Sequence, residues 1–590
     1  MLVQAAATEM GVSAADCEVS NGVVHHGGTG QKRRFGEVAV AASKLTPPKD
    51  VPLKDPKTWT LIGQSVPRFD IPNKVNGTPQ YGIDVQLPGM LHAAIVQSPV
   101  FGGKVKTLDD TAAKASRGVT QIVNGGEWVA VVGDNWWRCS QAAKKLKIAW
   151  DEGGNGKVDS AEIRAYLKAG IATPTKVGRN DGDFDAAFKG AAKTFEAEYY
   201  TPYLDHTPME PMNCTALVNG DKVTVWVPTQ SAEASAATAA AAAGVPLANI
   251  EVYRQQLGGG FGRRGGFQDF TRQAVTIAKA VLGKPVKLLW SREEDIQHGH
   301  YRPATYAKVR GAVDASGKLI GIHGTVAVQS ILERVRPEAL TNGLDPQGVT
   351  SFADSHYEIP NTKAEWFHAK RHVPVGFWRS VSHSQNPMFR ECFIDEVCAS
   401  VKQDPYRYRR AMLVNMKGKE SVRDLGILDA TAKAAKWADA MPANWFKGIA
   451  VQDAYGSHAA AVVYLEKMAN GALKIRRCVI GVDPGYVANE GAAKAQIEGC
   501  MVYALTAALW GEITIKDGRV QQSNFHDWRM MKLSETPECV AVLAPTGGFW
   551  GGMGEPPMAP LVPAICNAVF AATGKPVREL PLSKMGLVWA

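Results

Sequence analysis

Apolar positions recur along this chain sometimes at every second residue and sometimes at every third or fourth, which predicts a mixture of strands and helices. The first 60 residues predict a helix over 3–10, a short strand and turn around 19–28 and a second helix near 37–43. The run Thr46-Pro47-Pro48-Lys49-Asp50-Val51-Pro52 is a linker. The segment before it is expected to carry too little apolar surface to close a core. Residues 66–152 alternate turn and strand signals, with a buried strand at 128–134, a helix over 137–145 and a strand at 146–150. They end at the linker Asp151-Glu152-Gly153-Gly154-Asn155-Gly156.

From residue 194 the strands 194–200 and 222–227 lead into an alanine-rich helix, 231–243, then a strand at 250–255, a helix over 269–282 and a strand at 286–290. Alanine is the best helix former, and this tract reads as a tightly packed core helix. A break near 416–423 precedes strands at 459–467 and 472–481, a helix over 490–509 and a closing helix over 559–573.

Two loops stand out from this background. Gly551-Gly552-Met553-Gly554-Glu555-Pro556-Pro557 places one carboxylate between glycines and two prolines. Glycine permits close backbone approach, while proline fixes φ and removes a donor, so this loop is expected to hold an acid rigidly. Leu257-Gly258-Gly259-Gly260-Phe261-Gly262-Arg263-Arg264 suits a backbone wrapped against a large anionic ligand. Either loop alone could be an ordinary loop tip; together they indicate a cofactor site.

Composition narrows the function classes. At 590 residues the chain suggests about four domain-sized units. A net charge of +9 is spread without any run of five or six cations, so no nucleic-acid partner is expected. Nine cysteines lie scattered with no CxxC pair, so neither a zinc ribbon nor an iron–sulfur cluster can be read here. No apolar run reaches the ~18 residues of a membrane span. The first residues show no basic stretch followed by an apolar core, so no signal peptide is expected.

Several stretches, in order along nearly the whole chain, match one family. They are Lys74-Val75-Asn76-Gly77; Asp84-Val85-Gln86-Leu87-Pro88-Gly89-Met90; Thr207-Pro208-Met209-Glu210-Pro211-Met212-Asn213-Cys214; and the glycine loop. Further on come Gly376-Phe377-Trp378-Arg379-Ser380-Val381-Ser382, Phe393-Ile394-Asp395-Glu396, Gly554-Glu555-Pro556-Pro557 and 567–574. The chain resembles the molybdenum-binding large subunits of the xanthine oxidase family, in particular the isoquinoline 1-oxidoreductase β subunits and related aldehyde dehydrogenases.

That resemblance implies a multidomain α+β fold, with a small hammerhead-like α+β domain and large, elongated molybdopterin-binding α+β domains. The segments expected are 1–65, a remnant of an N-terminal cofactor-binding part with its linker; 66–155, the small domain; 156–420, the first part of the molybdopterin-binding domain; and 421–590, its second part with the acid loop. The resemblance makes Glu555 the catalytic base, beside Gly554. It lines the cofactor with Gly259, Gly260, Phe261 and Gly262, and brings Arg379 near the active site. Arg263 is expected against cofactor phosphates; the alternative for it and for Arg264 is to flank a helix N-terminus. No protein residue is expected to ligate the metal.

The implied cofactor is molybdenum on molybdopterin cytosine dinucleotide. The implied reaction oxidises an N-heterocycle or aldehyde with water as oxygen source. Electrons would pass to iron–sulfur clusters on a partner, a small 2Fe–2S subunit, with a cytochrome c subunit as a further partner. Gly265 stands where the purine-oxidising branch has a substrate-holding glutamate, which argues against purines. The family's GQG-type pterin loop is absent, so an N-terminal cofactor-binding segment is expected in a separate chain or upstream. Asn489-Glu490 stands where Asn-Pro is expected. Export is common in the family, so the expected placement is the periplasm or the periplasmic face of the inner membrane, with the cytoplasm as alternative. Two other readings stay open: a non-catalytic scaffold subunit, and a nucleotide-binding enzyme whose glycine run lacks GxGxxG spacing.

Overall fold

The computed structural model describes residues 1–414 and 418–589 and divides into two compact units, Met1–Gly63 and the chain from Gln64 onward. In the first, helices Leu2–Met10 and Phe35–Ser43 accompany a three-stranded antiparallel sheet of Cys17–Ser20, Val23–His26 and Lys32–Arg34. Ala5, Ala6, Met10, Val24, Val38 and Ala42 form its core. The expectation that this segment could not close a core is therefore corrected. Small side chains let two short helices approach closely enough for modest apolar area to suffice.

Three larger sheets build the second unit. The seven-stranded sheet runs, in spatial order, Ile250–Arg254, Lys222–Val227, Asn213–Asn219, Val286–Leu289, Leu91–Gln97, Trp128–Gly133 and Val119–Asn124. Val286–Leu289 pairs in parallel with Leu91–Gln97, so the sheet joins strands from 91–133 to strands from 213–289. A five-stranded sheet holds Lys193–Thr201, Thr305–Val313, Leu319–Gln329, Asn361–Ala369 and Lys176–Asp181. A four-stranded sheet holds Trp445–Ala454, Ser457–Lys467, Leu473–Asp483 and Glu538–Leu543. Helices cover these mixed sheets, and the fold is α+β and multidomain, as expected.

Two helices matter most for the site. Glu490–Leu509 is capped by Asn489, whose Oδ1 accepts the Ala492 N–H at 2.8 Å; its first half buries Ala493 and Ile497, and from Tyr503 to Leu509 every residue is buried. Asn489 thus has a structural task without the expected proline. Met558–Thr573 is apolar on nearly every side and lies directly on strand Trp445–Ala454. A Cβ at Gly448 of that strand would stand 2.3 Å from backbone atoms of the helix.

The alanine-rich helix, Ala232–Ala243, starts at its Ser231 cap as patterned but buries only Ser235 and Ala239. It is a half-covered surface helix, correcting the core assignment: alanine's propensity fixes the conformation without dictating burial. The break expected at 416–423 begins outside the described residues, and the chain is helical over Lys419–Ala434. Seven of the nine cysteines are buried. Among the described residues, no helix is long and apolar enough to cross a membrane.

Candidate active site

The acid loop leaves strand Glu538–Leu543 and is tied to its surroundings before Glu555 is reached. Thr546 donates from N and Oγ1 to Asp483 at 3.1 and 2.8 Å. Gly551 N–H donates to the Pro484 carbonyl at 2.8 Å, and Gly552 N–H to the Tyr455 carbonyl at 2.9 Å. Ser457 Oγ donates to the Gly552 carbonyl at 2.5 Å. A Cβ at Gly551 would stand 2.2 Å from Ser457 Oγ and 2.6 Å from the Gly456 carbonyl oxygen, which is why that position is bare. After Glu555, two prolines lead straight into helix Met558–Thr573, and the Glu555 carbonyl accepts the Met558 N–H at 3.0 Å.

The segment around Arg379 closes on this loop from the other side. Arg379 is 8% exposed; its Nε donates to the Gly554 carbonyl at 2.7 Å and its Nη2 to Gln496 Oε1 at 3.1 Å. The arginine therefore holds the peptide beside the acid rather than forming a surface ion pair. Ser380 follows with φ +73, a left-handed conformation that turns its N–H onto Glu555 Oε1 at 2.8 Å, while its hydroxyl donates to the Glu555 carbonyl at 2.5 Å. Burial pushes the Glu555 carboxyl above the usual carboxylate range, against the opposing effects of the Ser380 N–H and the Arg379 charge. The acid is held, half-buried and short of full compensation, a state suited to taking up a proton.

Removing the arginine charge removes one of the two influences that keep the acid ionised. Arg379→Met is expected to shift the acid limb of the activity–pH profile upward and to lower kcat/KM by about tenfold at neutral pH. Arg379→Lys should restore much of the limb's position without restoring the Gly554 contact. A pH profile unchanged in Arg379→Met would show that Arg379 does not act through Glu555.

The glycine loop divides into a part that meets protein and a part that faces open space. Phe261, at φ +54, packs its ring 4.2 Å from that of Tyr503 and lines a cavity together with Gly262, Gly265 and Gly266. Gly259 and Gly260 were expected to line the cofactor, yet their bare sides are taken by protein. A Cβ on Gly259 would meet the Phe261 ring at 3.0 Å, and one on Gly260 would meet Gln230 Oε1 at 2.5 Å. Gly262, at φ +107, lies so close to Phe377 that a Cβ would stand 1.6 Å from its carbonyl oxygen.

Arg263 does not reach the cavity, which corrects its expected cofactor contact. Its guanidinium is 1% exposed and forms a forked pair with Asp269 at 2.9 and 2.8 Å. Arg264 is likewise enclosed, against Glu210 and the carbonyls of Gly259 and Pro228. Arg263 read as a phosphate binder in sequence because its partner Asp269 meets it only once the loop has folded, and the partner of Arg264, Glu210, lies 54 residues away.

Phe261, Gly262, Arg379, Gly554 and Glu555 thus converge on one cavity of about 1100 Å³. Leu332, Val335, Phe377 and Val381 give it an apolar side. Gln230, Gln347, Gln496 and Arg336 join Arg379 on its polar side. Gln347 Oε1 is buried with no hydrogen-bond partner among the described residues. A second cavity of about 540 Å³, between 65–71 and the start of helix Glu490–Leu509, shares Ala495 and Gln496 with the first. Amide side chains, arginines and glycine walls fit a large anionic pterin, and the unpartnered Gln347 oxygen fits a donor on it. Ser380, Gln230, Gln496 and Tyr455 were missed as individual site residues. Ser380 lay inside a matched motif, whereas the other three carry no local signal.

Comparison with known proteins agrees with this geometry. Two domains, each described as a molybdopterin cofactor-binding domain, match residues 168–413 and 414–537, together more than half of the chain. The chain is 29% identical to the isoquinoline 1-oxidoreductase subunit beta of Brevundimonas diminuta, across 99% of this chain and 80% of that one. It is 28% identical to a membrane-bound aldehyde dehydrogenase [pyrroloquinoline-quinone] of Gluconacetobacter polyoxogenes, across 98% and 80%. In fold it superposes on quinoline 2-oxidoreductase from Pseudomonas putida 86 with a TM-score of 0.77 at 14% identity, covering 89% of this chain and 97% of that one. With the aldehyde oxidoreductase of Desulfovibrio gigas the TM-score is 0.74 at 17% identity, over 93% and 82%. Domain matches, end-to-end similarity and a cavity built around a held glutamate agree: the chain belongs to the molybdenum-binding large subunits of the xanthine oxidase family and is a molybdenum-dependent oxidoreductase.

Proposed function

We propose that this chain is the catalytic subunit of a molybdenum hydroxylase that oxidises an aldehyde or an N-heterocycle, takes its oxygen from water and passes electrons to a partner. The observation that carries the reading is Glu555: a half-buried carboxylate fixed by Ser380 at the wall of the large cavity. When bound, the molybdenum–pterin group supplies Lewis acidity towards an oxygen nucleophile and accepts two electrons from substrate. Oε1 of Glu555 is engaged by the Ser380 N–H, so Oε2 is the atom that takes up the proton of the attacking oxygen. Arg379 keeps the Gly554–Glu555 peptide in place during that transfer, a positioning role. Phe261 and Phe377 present flat apolar faces to the substrate and exclude water around it.

Gly262, Gln230 and Gln496 would hold the pterin, and the adjoining second cavity offers room for the extension of a dinucleotide form, molybdopterin cytosine dinucleotide. A small 2Fe–2S subunit is the electron acceptor we propose. Gly265 places no carboxylate on the cavity wall, which favours aldehydes and simple N-heterocycles over purines. Substrate profiling of the purified complex with an artificial electron acceptor in ¹⁸O-labelled water tests this. Labelled product from an aldehyde or N-heterocycle is expected; purine preference, unlabelled product or no turnover in a molybdenum-replete complex would contradict it.

A further inference from the structure

Beside the hairpin that carries Tyr455, three metal-ligating side chains from distant parts of the chain meet. His356 precedes strand Asn361–Ala369, Asp424 lies on helix Lys419–Ala434, and His458 lies on strand Ser457–Lys467. His356 Nδ1 stands 2.7 Å from Asp424 Oδ2, and His458 Nδ1 2.6 Å from Asp424 Oδ1. The three ligand atoms all lie within 4.8 Å of one another, and Asp424 and His458 are buried. Asp453 Oδ1 adds a second carboxylate 3.8 Å from His356 Nδ1, with Gln452 Nε2 donating to it at 3.0 Å.

We propose that His356, Asp424 and His458 form a site for a divalent cation of the zinc class, with Asp453 the nearest further carboxylate on its rim. Imidazole nitrogens and carboxylate oxygens are ligands that zinc takes, and protons leave the imidazoles when it binds. An independent feature points the same way. The far nitrogen of His458, Nε2, faces Glu420 Oε2 at 2.8 Å, the carboxylate arrangement that orients a metal-bound histidine. Two cations face the histidines: Arg423, paired with Asp483 at 2.8 Å, and Arg390, which shares Glu391 with Arg409 at 2.9 and 2.7 Å; against them stand the carboxylates of Asp424, Asp453 and Glu420. Such a site would pin helix Lys419–Ala434 to the hairpin whose turn sets Tyr455 at the cavity and whose Ser457 holds the Gly552 carbonyl. The cation therefore acts as a positioning element for the acid loop.

The test is metal analysis of the whole complex, purified without chelators from zinc-supplemented cells. About one zinc per chain is expected in addition to molybdenum. Asp424→Asn and His458→Gln should each remove the zinc, lower Tm and leave most of the molybdenum. Zinc-edge X-ray absorption on the wild-type complex should show nitrogen and oxygen ligands only, a reading that stands even if a variant fails to fold. Zinc below about a tenth of an equivalent in the wild type, zinc retained by both variants, or sulfur ligation would overturn the site and leave a hydrogen-bonded His–Asp–His cluster.

Discussion

Glu555→Gln is expected to lower kcat by a factor of about 10² to 10⁴, a loss of ~3–5 kcal/mol in transition-state stabilisation, while molybdenum content stays near normal. Glutamine is isosteric and its carbonyl can still accept the Ser380 N–H, so the loop keeps its bonds and only the proton acceptor disappears. The stability effect has a defined sign. The folded carboxyl titrates above its ordinary value of 4.5, so the folded state favours the protonated form. Its stabilising contribution is complete below that ordinary value and is lost as pH rises through the raised one. The glutamine variant should therefore match the wild type in Tm at acid pH and equal or exceed it at neutral pH. Wild-type turnover in this variant would remove Glu555 from the mechanism; a fall in both Tm and molybdenum would make its role structural.

Gly262→Val is expected to cost more than about 4 kcal/mol and to yield insoluble or molybdenum-free protein. Two effects add. A Cβ there would overlap the Phe377 carbonyl oxygen at 1.6 Å, and the backbone sits at φ +107, where a β-branched residue is strained. The obstacle is backbone of the segment leading to Arg379, so relief would displace the residues that hold the acid loop. Gly260→Ala is the control, because its Cβ would meet only the end of the Gln230 side chain, at 2.5 Å. It should keep most of its molybdenum, though the Gln230 contact to the Gly262 N–H, now 3.0 Å, would weaken. Equal tolerance of both substitutions, by Tm and metal analysis, would show that the loop is not braced on Phe377.

The contrast between these glycines shows what the sequence could and could not convey. A run of glycines announces close approach to its backbone but not what approaches. At 260 and 262 the neighbour is Gln230 or Phe377, while only Gly262, Gly265 and Gly266 also reach the open cavity. At Glu555 the pattern indicated an acid held in a rigid loop, while its role as a base came from the family resemblance; the bonds that fix it, from Ser380 and through the Gly551 and Gly552 N–H groups, carry no local signal. Arg263 was misread because Asp269, six residues on, meets it only after the turn into helix Asp269–Lys279 is formed. Elements with strong local signals appeared close to where patterning placed them: strand Lys222–Val227, the helix capped by Asn489, and the closing helix Met558–Thr573. The sheet that pairs Leu91–Gln97 with Val286–Leu289 carries no local signal, since nothing near either strand specifies so distant a partner. Ser380 illustrates the same limit within the site: its left-handed turn is imposed by the loop it grips, 175 residues away.

The central claim is that molybdenum occupies the cavity walled by Phe261, Arg379 and Glu555. Anomalous diffraction from crystals of the purified complex, recorded on both sides of the molybdenum absorption edge, locates the metal without reference to activity. A single molybdenum peak inside that cavity, on the side of the Glu555 carboxylate, is the predicted result. A molybdenum peak elsewhere in the chain, or none in a complex whose molybdenum content is stoichiometric, would contradict it.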